Sequence, residues 1–122
     1  MDLSLFNRVG GEAAVEAAVN IFYMKFLRNR DIEPFLRGIS IEDQIDKIRV
    51  FFTVVMKGDV EYDRQLIRKA HAPSVEKGLK QHHFDIFLQL MEETLVELEI
   101  PRVLIEEFLE VTLTYRDDVL LK

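Results

Sequence analysis

Apolar residues recur at intervals of three and four in four long runs of this chain of 122 residues, and that spacing commits it to helices. The first run sets Val15, Val19, Phe22, Phe26 and Leu27 on one face, with Tyr23 beside them and Arg28, Asn29 and Arg30 closing it. The second aligns Ile41, Ile45, Ile48, Phe52 and Val55, with Phe51 alongside, and Ser40 with Asp43 forms a capping pair at its start. The third carries Phe84, Phe87, Leu88, Met91, Leu95 and Leu98, and the fourth Ile105, Phe108, Thr112, Tyr115 and Val119. No stretch alternates apolar and polar residues as a half-buried strand would, so the fold class is all-α. Shorter elements interrupt any plain up-and-down bundle. Ser4 can cap a helix over 5–9 that Gly10 and Gly11 end, a turn runs through Pro34 to Gly38, and a short helix carries His71. Pro73 is expected to stop that helix and leave His71 near its exposed end. The length suits one domain over residues 1–122.

Composition removes several function classes. The net charge of -6 argues against a broad electrostatic grip on nucleic acid or an anionic membrane. With no cysteine there is no disulfide framework, thiolate zinc site, iron–sulfur cluster or cysteine nucleophile. The N-terminal residues lack the pattern of a signal peptide and no apolar run is long enough to span a bilayer, so the expected compartment is the cytoplasm. Motifs for nucleotide phosphates, zinc proteolysis, serine hydrolysis, calcium loops and a di-iron bundle are all missing.

What remains is a small set of polar residues on apolar faces. His71 follows Ile67 by one turn and shares its face, which suits a metal or haem ligand, although a lone histidine of this kind is more often a buried one satisfied by a backbone carbonyl. Tyr23 borders an apolar stripe, where its ring is buried and its hydroxyl needs a partner. Gln44 sits among Ile and Phe, which is costly unless something polar meets its amide. Lys47 flanks the same face, either snorkelling to water or turned inward. His82 and His83 project about 100° apart, so they do not readily chelate one ion and read as caps or surface groups. A planar apolar cofactor held between the helices would account for His71, Tyr23 and Gln44 together, with the histidine on iron and the other two offering hydrogen bonds to a second ligand.

Taken in order, the stretches SLFNRVGGEAAVEAAVNIFYMKFL, RKAH, HHF and RDDVL resemble the truncated haemoglobins, specifically the group that includes cyanobacterial and ciliate proteins. The resemblance covers nearly the whole chain. It implies a two-over-two helical sandwich around haem b, with His71 as proximal iron ligand and Tyr23 and Gln44 in the distal pocket. Phe35, Leu36, Phe51, Phe52, Ile67 and Phe84 would line the haem, Arg68 would reach a propionate, and Tyr62 would touch the haem edge. Ile48 stands where many members have a second distal glutamine, which implies weaker retention of oxygen than in members with three donors. Leu36 replaces a usual phenylalanine, the loop after Gly58 lacks the paired glycines common in the family, and Arg64 replaces another glycine. Tyr115 falls where some relatives carry a histidine bonded covalently to haem. Lys47 matches a position that some relatives use as a sixth iron ligand, its alternative being an ion pair with a propionate. Iron binds only the neutral amine, so ligation should grow as pH rises.

The activity implied is reversible binding of dioxygen and nitric oxide, with nitric oxide dioxygenation dependent on a separate reductase. Oxygen storage or gas sensing without turnover, a six-coordinate haem redox protein and a cofactor-free helical interaction domain are the rivals. A monomer suffices for any of these readings.

Overall fold

The computed structural model describes residues 5–57 and 64–122. These form the helices α1 (Leu5–Val9), α2 (Gly11–Arg28), α3 (Glu33–Leu36), α4 (Ile41–Lys57), α5 (Arg64–Glu76), α6 (Gln81–Glu97), α7 (Arg102–Leu113) and α8 (Arg116–Leu120). No strand occurs among the described residues. Ser4, Gly58 and Tyr62, expected as a cap, a loop glycine and a haem-edge aromatic, lie outside them.

The long helices pack as two pairs, α2 on α4 and α6 on α7, and the pairs stack through α2 on α6 and α4 on α7. This is the two-over-two sandwich. The α1–α2 corner is made by Gly10 and Gly11, whose φ angles of 121° and 72° strain any residue with a Cβ. At Gly10 a Cβ would also sit 3.2 Å from that of Ala14. The Ser40 hydroxyl accepts the Asp43 N–H at 3.1 Å, so the predicted cap forms at the start of α4.

Aromatic rings hold the two layers together. Phe22, fully buried, meets Phe52 edge-on at 5.7 Å and Phe87 at 5.2 Å. Phe52 in turn stacks on Phe108 at 5.3 Å. Phe52 is therefore part of the inter-layer core. Its expected place among the haem-lining residues is corrected: it faces α2 and α7, and its neighbour Phe51, about 100° round the helix, takes the other side.

Pro73 lies inside α5 instead of ending it. A proline removes one helical hydrogen bond, to the carbonyl of Lys69, and that residue is exposed, so water can satisfy the freed oxygen. The helix closes later, where the N–H groups of Lys77 and Leu79 donate to the carbonyls of Pro73 and Ser74 at 3.2 and 3.0 Å. His71 thus sits within α5, two residues before the proline. Among the described helices, α8 is the one that α5 packs against extensively.

Candidate cofactor pocket

Between α4, α5 and α6 lies a cavity of about 430 Å³, closed at one end by the α3–α4 corner and at the other by the last turn of α7 and the start of α8. Its walls are mainly apolar and include Phe35, Leu36, Ile48, Phe51, Ile67, Phe84 and Phe87. Size and lining suit a planar organic cofactor. Among the polar side chains that share these walls are Gln44 and Lys47 from α4 and His71 from α5.

His71 is poised to ligate. Its Nδ1 lies 2.8 Å from the carbonyl oxygen of Ile67, one turn earlier on α5. A carbonyl only accepts, so Nδ1 carries the proton and Nε2 keeps its lone pair, the tautomer a metal requires. Burial holds the imidazole below its ordinary titration range, the positive charge of Lys47 pushes the same way, and the Ile67 carbonyl opposes them. The neutral form is thereby favoured. The two readings left open by the sequence, ligand or carbonyl-satisfied histidine, are not exclusive, because the carbonyl occupies one ring nitrogen and frees the other.

Gln44, only 7% exposed, is met by polar groups on every side. Tyr23 donates its hydroxyl to Oε1 at 2.7 Å, while Nε2 donates to the carbonyls of Leu36 and Ile39 at 3.0 and 2.9 Å. The network ties α2 to α4 and pins the α3–α4 corner over the cavity. Tyr23 stands behind Gln44, outside the wall itself. Burial pushes its phenol pKa up, which keeps the hydroxyl protonated as a donor. Lys47 is exposed at the cavity wall.

Arg68, expected at a propionate, is engaged elsewhere: Nε donates to Asp118 at 2.9 Å and Nη2 to the carbonyl of Lys122 at 2.9 Å. His83 is both more and less than the sequence suggested. Its Nδ1 accepts the Lys80 N–H at 2.9 Å as a cap, yet the ring packs edge-on against Phe35 at 4.9 Å and forms part of the wall. His82, exposed, reaches Asp31 at 3.2 Å. Tyr115, 6% exposed, also walls the cavity. The signal for His83 was its position one residue before Phe84, on a turn that the α3 corner must cover.

Residues 4–120 match the family model for bacterial-like globins. A group 1 truncated haemoglobin of Synechocystis is 33% identical over 105 residues, covering 85% of each chain. One from Tetrahymena thermophila is 31% identical over 119 residues, covering 96% of this chain and 94% of the other. This chain belongs to the truncated haemoglobin family. Among solved structures, the 2/2 haemoglobin of Synechococcus, in the cyanomet state and with covalently attached haem, superposes on this globin with a TM-score of 0.88. The two are 32% identical, and the match covers 98% of this chain and 99% of that one. The cofactor of the family is haem, and the residues of this globin fit it: an apolar slot, one imidazole with a free Nε2, and a cation at the edge.

Proposed function

We propose that this globin, which binds haem and small gas ligands, serves in nitric oxide dioxygenation, with a separate reductase returning the iron to its ferrous state. The observation that carries the reading is His71, whose Nδ1 is tied to Ile67 and whose Nε2 is free in the same cavity that Gln44 walls and Tyr23 backs. Haem, when bound, supplies the iron at which dioxygen and nitric oxide bind and at which dioxygen oxidises nitric oxide to nitrate. His71 holds that iron from the protein side. Ile48, Phe51, Ile67 and Phe84 exclude water and keep the site apolar. Tyr23 and Gln44 orient the gas ligand. To do so Tyr23 turns its hydroxyl from Gln44 Oε1, or Gln44 exchanges one carbonyl partner for the ligand, because every donor of the pair is otherwise committed. Such an exchange keeps the hydrogen-bond count constant and makes ligand retention modest. The protein acts in this proposal as a cytoplasmic monomer made of one domain. No helix of the described residues is long and apolar enough to cross a membrane.

Nitric oxide consumption by the reduced, oxygenated protein with an artificial reductase tests the proposal. Catalytic turnover with nitrate as product supports it. Stoichiometric consumption that ends after one equivalent per haem, despite an active reductase, overturns it in favour of storage or sensing. A second reading, a six-coordinate redox protein, is favoured by one observation: Lys47 lines the same cavity as His71.

A further inference from the structure

We propose that Asp118 is the positioning residue of the haem iron's ligand: through Arg64 and Arg68 it fixes the rotation and register of α5 that present His71 to the cavity. The inference rests on the haem reading above and concerns what sets the geometry of that site.

Arg64, Arg68 and His71 are four and three residues apart, so they form one stripe along α5. Asp118 is 7% exposed and accepts from both arginines, Oδ2 from Arg64 Nη1 at 2.7 Å and Oδ1 from Arg68 Nε at 2.9 Å. Each arginine has a second anchor at the same end of the fold. Arg64 Nη1 also donates to the carbonyl of Thr114 at 2.9 Å, and Arg68 Nη2 to that of Lys122. The Arg64 guanidinium lies 4.5 Å from the centre of the Tyr115 ring, which walls the cavity.

The anchor matters because, among the described residues, α5 has little other support. It packs extensively on α8 and only sparsely on the other described helices, and the cavity lies along the face that carries Ile67 and His71. Apolar packing alone tolerates sliding and rotation. A rotation of α5 by one residue, about 100°, would carry His71 off the cavity wall. A carboxylate that takes one N–H from each of two arginines on successive turns, one on each oxygen, favours the register that keeps both bonds. The frame is itself firm: the Tyr115 N–H donates to Thr112, that of Val119 to Tyr115, and Tyr115 and Leu120 are buried. The two arginine side chains are 48% and 33% exposed, so the bridge adds little net stability and its contribution is geometric. The bridge also commits Arg68 to Asp118, which removes it from the cavity edge.

The test uses the full-length protein loaded with hemin. In the cyanide-bound ferric form, the hyperfine-shifted proton resonances of the iron-bound imidazole report its orientation, and transfer of hemin to apomyoglobin reports its hold. Asp118→Asn should move those resonances and speed haem loss about tenfold, the order expected when charge-assisted hydrogen bonds to two partly exposed arginines are weakened. Asp118→Glu, which keeps the charge, should restore most of both. Glu107→Gln is the control, since it breaks the exposed Arg8–Glu107 pair between α1 and α7, far from His71 in the chain, and should move neither. Unshifted resonances with an unchanged rate of haem loss in Asp118→Asn would overturn the proposal, even if thermal stability falls. If that variant does not fold, Arg68→Met gives the same two readouts, and unchanged values there overturn the proposal equally. Absence of a Soret band in the wild-type protein is a different failure, because it removes the haem reading before Asp118 is in question.

Discussion

The Tyr23–Gln44 contact can be tested by changing Tyr23 to Phe and Gln44 to Leu, singly and together. Tyr23→Phe leaves the buried Oε1 of Gln44 without its donor, which costs about 1–2 kcal/mol. Gln44→Leu orphans the Tyr23 hydroxyl. The two carbonyls it also abandons are better placed, since that of Leu36 keeps the Ile39 N–H and Ile39 is exposed to water. Its cost is again about 1–2 kcal/mol, dominated by the single buried hydroxyl. The double variant leaves neither orphan and should lose only about 1 kcal/mol, so the coupling energy is about 1–3 kcal/mol. Urea unfolding of the haem-free protein, followed by helical circular dichroism, measures the four proteins with no gas ligand competing for the donors. Strictly additive losses would refute the reasoning, for they would mean that hydroxyl and amide are not partners in the folded chain. The same cycle on oxygen dissociation from the loaded protein reports whether the pair exchanges its bond for the ligand.

Other outcomes follow from the same geometry. Phe52→Ala should destabilise the fold by about 3–5 kcal/mol and leave the haem spectrum unaltered in whatever protein remains folded, because the ring fills the inter-layer core and not the cavity; a shifted spectrum without lost stability would contradict this. The His71 imidazole titrates in the folded chain below its ordinary value of 6.5, so between the two values the unfolded chain holds the extra proton. Stability of the haem-free protein should therefore be complete above pH 6.5, fall on acidification through that window, and lose this part of its pH dependence in His71→Ala, as denaturant midpoints across pH would show. Alkaline titration of the ferric protein should generate a six-coordinate low-spin spectrum if Lys47 reaches iron, and Lys47→Ala should abolish it; persistence of that spectrum in the variant would assign the sixth ligand elsewhere.

The helices were legible in the sequence because their apolar spacing is close to ideal, and the Ser40 cap because its geometry is local. Which side of a doubly buried helix faces a cofactor is another matter. In α4 both flanks are apolar, and nothing local distinguishes Phe51, at the cavity, from Phe52, in the core. Pro73 misled because the cost of a proline depends on whether the freed carbonyl can reach water, a tertiary fact. Arg68 and Asp118 are fifty residues apart, and their pairing needs α8 folded back on α5, which no periodicity announces. His71, by contrast, announced itself through Ile67: the residue one turn before it shares its face and supplies the carbonyl that sets its tautomer.

The most direct measurement is the absorption spectrum of the purified protein reconstituted with hemin, wild type beside His71→Ala. The account predicts a Soret band in the wild type, with ferrous and ferric forms that interconvert on reduction, and a band resembling loosely held hemin in the variant. A wild type with no Soret band, or a variant whose spectrum and hemin affinity equal those of the wild type, would contradict the claim that His71 holds the haem iron.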